Sequence, residues 1–363
     1  MTFGIKIDVR TPSRNYRVHV GEKFIAQLDQ ILTEAGSTGR RFVVSSPPIW
    51  KLHGDTIENV LKDAEVALIP DGERSKTLQT VNRLYDTLIR SGADRGITIV
   101  AVGGGVIGDV VGFAAATFLR GVQIAHVPTT LLAQVDSSIG GKVGVNHQLG
   151  KNLIGAFHQP ITVVADPLLL ETLPRREFRA GLYEIIKYGV ISSRELFDRL
   201  VQDLTHIFAR KTEVLVPVIA ESCRIKATIV SKDEHESGLR RTLNFGHTAG
   251  HAIEAVSRYK RLRHGEAVAY GMLVAADIAV SRKMFTETDR SSLAKLISQL
   301  GPLPSVNDLS TKQILEAIRR DKKLLKGRLH VVLPTTIGET TIVDDVTERE
   351  IQQALLTIGI RAR

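Results

Sequence analysis

Gly103-Gly104-Gly105-Val106-Ile107-Gly108-Asp109 directly follows an apolar, β-branched stretch, Ile97–Val102, and opens a helical pattern. Gly103, Gly105 and Gly108 satisfy G-x-G-x-x-G at a strand-to-helix turn. There the missing side chains let a backbone approach a pyrophosphate, and the helix N-terminus offers free N–H groups to its charge. Such a turn needs a strand buried in a sheet and a helix laid back over it. Arg41–Ser46, Val66–Ile69, Val122–Val127 and Ile161–Ala165 are further short runs of the kind buried parallel strands show. Between two of the runs, Leu78, Val81, Leu84, Tyr85 and Leu88 form a helical stripe. Strand and helix alternating in this way predict a Rossmann-like, doubly wound α/β domain. One feature departs from the dinucleotide fingerprint: Pro128-Thr129 stands where an acidic residue would end the next strand. By itself the motif fits either a dinucleotide or phosphate site, or a glycine turn with no ligand.

Beyond Leu173-Pro174 helical patterns take over, at Arg179–Val190, Arg194–Ile207, Glu213–Val230, Thr248–Arg258, Gly265–Arg282 and Ser291–Leu300. A weak strand, Leu329–Leu333, and a helix near Val346–Leu356 follow. A chain of 363 residues exceeds what one hydrophobic core usually supports, about 250–300 residues. Two domains are expected: 1–175, α/β, and 176–363, mainly helical.

Charge narrows the ligands. Lys and Arg number 48 against 39 Asp and Glu, a net +9, but the basic residues are scattered and aromatics are only 5%. No basic stripe or stacking platform is present, so small anionic ligands are expected rather than nucleic acid. The single cysteine, Cys223, excludes a disulfide framework and a cysteine-rich zinc module. MTFGIKIDVR lacks the apolar core of a secretory signal, and Asp109 and glycines interrupt the most apolar stretch, Ile97–Phe118. A soluble, cytoplasmic protein with no membrane partner is the expectation.

Three further patterns carry chemistry. Asp71-Gly72-Glu73-Arg74-Ser75-Lys76 lies between a strand and a helix, either as a nucleotide loop at a sheet edge or as a plain helix start capped near Ser75. Ser137–Asn146, continuing to Gly150-Lys151-Asn152, combines dense glycine with Lys142, Lys151 and asparagines. Those are the ingredients of an anion cradle, or of a solvated surface loop. His247 and His251 sit at i and i+4, and His264 precedes an apolar helical run. Histidines one turn apart can converge on a divalent metal or simply pack in a core, and H-T-A-G-H lacks the glutamate of the zinc-protease helix. Glu184 with Lys187 one turn on reads, by itself, as an ordinary helical salt bridge rather than a site.

Taken together, these segments resemble the 3-dehydroquinate synthase family of sugar-phosphate cyclases. The matching stretches are PDGERSK (70–76), GGGVIGD (103–109), FLRG (118–121), VPTTLLAQVDSSIGGKVGVN (127–146), GKNLIGAF (150–157), GLYEIIKYG (181–189), LNFGHTAGHAIE (243–254), HGEAVAYGM (264–272) and DKK (321–323). The resemblance implies a homodimeric, NAD- and zinc-dependent lyase, with cobalt as an alternative metal. Its substrate is 3-deoxy-D-arabino-heptulosonate 7-phosphate, converted to 3-dehydroquinate and phosphate in the shikimate route. Family zinc ligands carry over onto Glu184, His247 and His264. His251, nominated by spacing, falls instead on a substrate-phosphate and proton-transfer position. NAD contacts carry over onto Asp71, Gly72, Glu73, Arg74, Ser75, Lys76, Gly105, Val106, Ile107, Gly108, Asp109, Thr129, Thr130, Leu169, Leu170, Glu171 and Thr172. Asp136, Lys142, Lys151, Asn152, Lys187, Lys226, Arg240 and Asn244 fall on substrate, cofactor or catalytic positions, as does Lys322 or Lys323. Arg120 matches an arginine that reaches the neighbouring subunit's substrate phosphate. Ala249 and Tyr270 depart from the family pattern in size. A related cyclase or polyol dehydrogenase, and a binding protein without turnover, are the alternatives.

Overall fold

The structure is a computed structural model and describes residues 4–320, 324–325 and 328–362. Its contacts divide the chain into two compact units: residues up to Phe178 with Phe208–His235, and Arg179–Ile207 with Glu236–Arg363. The segment Phe208–His235 belongs with the first unit.

In chain order the strands of the first unit are β1 (Gly4–Arg10), β2 (Asn15–Gly21), β3 (Arg41–Ser45), β4 (Glu65–Leu68), β5 (Thr98–Gly103), β6 (Gln123–Pro128), β7 (Lys142–His147), β8 (Gly150–Phe157) and β9 (Thr162–Ala165). The main helices are α1 (Leu28–Glu34), α2 (Pro47–Val60), α3 (Leu78–Arg90), α4 (Gly105–Thr117), α5 (Arg175–Ser192), α6 (Arg194–Phe208), α7 (Thr212–Lys232), α8 (His247–Val256), α9 (His264–Ser281), α10 (Glu287–Gln299), α11 (Thr311–Arg320) and α12 (Glu348–Thr357).

Seven strands form one sheet in the order β1-β2-β9-β6-β5-β3-β4, parallel except for the β1–β2 pair. All six residues of β5 are buried, as a central strand covered on both faces requires. Side chains alternate across the sheet. Ile99 and Ala101 join Val81, Leu84, Val110 and Val111 in one core, while Val100 and Val102 join Leu28, Leu32 and Ile57 in the other. From β3 the chain goes outward to β4, then returns to the other side of β3 at β5. The carboxyl ends of β3 and β5 therefore form a topological switch point, where open α/β sheets bind ligands.

The glycine- and lysine-rich stretch read as a loop is instead an antiparallel hairpin, β7–β8. Val143 and Val145 alternate inward onto the core that α4 shares, and this makes it a ladder. α7 packs against β1 and β2, which is why its residues belong to the first unit.

In the second unit α9 is buried along nearly its whole length and packs closely on α8. Two backbone approaches allow this. A Cβ on Gly271 would lie 1.7 Å from the carbonyl oxygen of Gly246, and one on Gly265 would lie 2.0 Å from that of Ala180. The strand expected at Leu329–Leu333 is centred later, at Val331–Thr336, and pairs with Glu339–Val343. Among the described residues no helix is long and apolar enough to cross a membrane.

Candidate active site

In the first unit, β5 ends at Gly103 and α4 begins at Gly105, with Gly104 at the N-cap and no side-chain cap. The opening amides of α4 thus point out of the switch point uncapped, a ready anion site. Thr129 N donates to Gly103 O at 3.0 Å, and Thr130 Oγ1 accepts from Ala133 N at 3.2 Å, fixing the turn after β6 alongside. Val106 and Gly108 are half-buried and Ile107 is buried in the first turn of α4.

The Asp71–Lys76 loop follows β4 on the same side of the sheet. Asp71, Gly72, Glu73 and Arg74 are exposed, Ser75 half-buried and Lys76 buried. Lys76 Nζ reaches Asp109 Oδ2 at 2.5 Å and also donates to Asn152 Oδ1. Burial pushes the Asp109 carboxyl above its usual range, with the Lys76 ammonium pulling it down. Asn146 ties the same loop to the hairpin, donating through Nδ2 to Glu73 Oε1 at 2.8 Å and accepting from Asn152 N at 3.0 Å. Lys151 lies 3.7 Å from Glu73. The glycine helix, the acidic loop and the hairpin are thereby joined by one polar network. Lys226 Nζ on α7 meets Asp136 Oδ1 at 2.6 Å, bringing two more expected residues together. Lys142 is exposed at the start of β7.

Leu169 and Leu170 are buried in the turn after β9, Glu171 is exposed, and Thr172 Oγ1 lies 3.1 Å from His53 Nε2. Arg120 is exposed in the turn after α4, where Leu119, Arg120 and Gly121 take φ of +48°, +67° and +120°. Two successive non-glycine residues in the left-handed region are costly and persist only where surrounding structure enforces them.

In the second unit, α5 supplies Glu184, fully buried. Both its carboxylate oxygens lack a hydrogen-bond partner, although Lys187 Nζ stands 2.5 Å from Oε2. Burial of both groups, at 0% and 1% exposure, separates this pair from an ordinary surface i,i+3 bridge. Oε1 faces His264 Nε2 at 3.5 Å and His247 Nε2 at 3.8 Å. Donors about 2.0–2.1 Å from a tetrahedral zinc stand roughly 3.4 Å apart, so Oε1 lies near that separation from each of the two imidazole nitrogens. A buried carboxylate whose Oε1 has no hydrogen-bond partner and faces two imidazoles is what a cation would satisfy.

One nitrogen each from His247, His251 and His264 also lies within 4.8 Å of the others, so the i,i+4 pair expected from spacing does converge. His247 starts α8 and His264 starts α9, and the Gly271 and Gly265 contacts set their approach. Arg179 Nη2 donates to buried Glu266 Oε1 at 3.1 Å, and Glu266 Oε2 accepts from Arg263 N at 2.8 Å, anchoring the first turn of α9. Arg240 is buried, and Asn244 Nδ2 donates to Glu236 Oε1 at 2.6 Å. Lys322 and Lys323 lie outside the described residues.

Sequence reasoning passed over Glu254, which touches His264 Nδ1 at 3.3 Å. Its signal was present: 247, 251 and 254 share one face of a helix.

Residues 66–180 match the family model for the 3-dehydroquinate synthase N-terminal region, and 181–324 that for its C-terminal region. The 3-dehydroquinate synthase of Solibacter usitatus (strain Ellin6076) is 45% identical, covering 96% of this chain and 97% of its own. That of Nostoc sp. (strain PCC 7120 / SAG 25.82 / UTEX 2576) is 46% identical, covering 96% and 98%. Among solved structures, 2-epi-5-epi-valiolone synthase from Streptomyces hygroscopicus subsp. jinggangensis 5008, with NAD+ and Zn2+ bound, is 30% identical with a TM-score of 0.86, covering 95% of this chain and 96% of its own. A 2-deoxy-scyllo-inosose synthase complexed with carbaglucose-6-phosphate, NAD+ and Co2+ is 28% identical with a TM-score of 0.84, covering 97% and 99%.

Proposed function

The chain belongs to the 3-dehydroquinate synthase family and converts 3-deoxy-D-arabino-heptulosonate 7-phosphate to 3-dehydroquinate and phosphate; we propose that it does so with bound NAD and one zinc ion, on the residues described above. The observation that carries the proposal is buried Glu184, whose Oε2 meets the Lys187 ammonium while its Oε1, with no hydrogen-bond partner, is turned to the Nε2 atoms of His247 and His264. Cobalt suits the same donors, since imidazole and carboxylate bind several divalent metals. When bound, the two groups supply polarisation of a substrate hydroxyl and reversible acceptance of its hydride.

The rest is the work of the chain. Glu184, His247 and His264 hold the metal, and Lys187 offsets the buried charge of Glu184. The uncapped amides of Gly105, Val106 and Ile107 take the NAD pyrophosphate, with Gly108, Asp109, Thr129, Thr130 and the 71–76 loop around it. Asp136, Lys151 and the 169–172 turn complete the cofactor site. Lys142, Asn152, Asn244 and His251 bind the substrate phosphate, and Lys226 and Arg240 bind its other anionic groups. His251 moves a proton at the phosphate side. Much of the rate then comes from positioning and electrostatics in a buried site. The enzyme works as a two-fold dimer in the cytoplasm, on the shikimate route, with Arg120 reaching the partner's substrate phosphate. The enforced left-handed turn at Leu119-Arg120 supports that role.

Purified protein given the heptulosonate phosphate and trace NAD should release phosphate through many turnovers with no net NADH. Stoichiometric NADH would instead favour a polyol dehydrogenase, and no phosphate release would overturn the reading.

A further inference from the structure

We propose that Glu254 is a positioning residue of the metal site, holding His264 in the one tautomer and ring orientation that can bind a cation. The inference rests on the reading of Glu184, His247 and His264 as ligands. Glu254 lies on α8, two turns beyond His247 and on the same helix face, and is 6% exposed. Its Oε2 stands 3.3 Å from Nδ1 of His264, which belongs to the next helix, α9. A carboxylate oxygen can only accept, so this contact puts the ring proton of the neutral imidazole on Nδ1 and its lone pair on Nε2. That Nε2 is the atom facing Glu184 Oε1 at 3.5 Å.

His247 is held in the same sense by a different group, with Nδ1 3.0 Å from the carbonyl oxygen of Phe245. The two imidazoles are therefore oriented alike but not equally polarised. A carboxylate behind His264 makes its Nε2 the more basic donor, while the neutral carbonyl behind His247 does so less. Glu254 also links the helices that carry the two histidines, so it fixes their spacing as well as one ring. Losing such an outer partner commonly weakens metal binding about 10–100-fold.

The test uses zinc as the probe and the full chain, with affinity read by competition against a chelator. Glu254→Leu should bind zinc about 10–100-fold more weakly than the parent, while its metal-free melting temperature is unchanged or higher. Glu254→Gln keeps a carbonyl acceptor without charge and should lose less, about 3–10-fold. Nitrogen NMR of the metal-free parent, with His264 assigned through His264→Asn, should show the proton on Nδ1. The opposite tautomer overturns the proposal even if Glu254→Leu fails to fold. Zinc affinity of Glu254→Leu within twofold of the parent, where His264→Ala does lose zinc, overturns this proposal alone. A parent that binds no zinc overturns the metal-site reading together with it.

Discussion

Replacing Gly271 by alanine should separate the two helices that carry the histidines. The added Cβ would stand 1.7 Å from Gly246 O, 2.7 Å from Gly246 C and 2.8 Å from Gly250 N, all backbone atoms that no rotamer change can move aside. Around Gly246, the N-cap of α8, there is little slack, since a Cβ built there would meet Met272 Cγ at 2.7 Å and Val268 O at 2.8 Å. Ordinary contact therefore requires α8 and α9 to part by about 1.5 Å, a distortion of the overpacking kind that costs roughly 1–3 kcal/mol or more. Alanine's better helix propensity returns about 1 kcal/mol, leaving a net loss of up to about 2 kcal/mol. For a unit of this size each kcal/mol lowers the melting temperature by roughly 2–4 °C. The site should suffer more than the fold, since His247 and His264 open these helices and misplacing a reacting group by about 1 Å can cost ~10²-fold. Scanning calorimetry, zinc titration and phosphate release measure the three effects. A Gly271→Ala protein with parental melting temperature and zinc affinity would refute the argument that this contact sets the site.

Burial lowers His19 and His126 of the first unit to about 4 each. Their folded values lie below the unfolded 6.5, so the unfolded chain binds more protons between those limits; stability is full above about 6.5 and falls as pH drops toward 4, by up to ~3 kcal/mol per histidine. Melting temperatures across that range test this, His126→Asn should flatten the profile, and a flat parental profile would contradict it. A cavity of ≈ 20 Å³ lies beside Ala249, Val274 and Ile278. Ala249→Val should fill it and gain roughly 0.5 kcal/mol at ~24 cal/mol per Å³, whereas a drop in melting temperature would show the space is not usable. Arg120→Ala and Glu184→Gln, each inactive, should on subunit exchange restore about a quarter of parental activity, because about half the dimers are mixed and each has one intact site. No recovery would mean Arg120 serves its own subunit.

Much of this protein is written in short-range terms. The β-branched runs of β3, β5, β6 and β9, the glycines that end β5, and the single helix face shared by His247, His251 and Glu254 follow from backbone dihedrals and periodicity, which neighbours in sequence set. What periodicity could not reach was decided by contacts between distant segments. The β7–β8 stretch reads as a loop until Val143 and Val145 have α4 to pack on, and α7 reads as part of a helical half until β1 and β2 offer it a face. The proposed metal site is the clearest case. Spacing pointed to His247 with His251, because only those two share a helix. Glu184 and His264 reach the same point through backbone approaches at Gly265 and Gly271. A ligand set built from three helices depends on how closely those helices pack, and packing is a property of the assembled core.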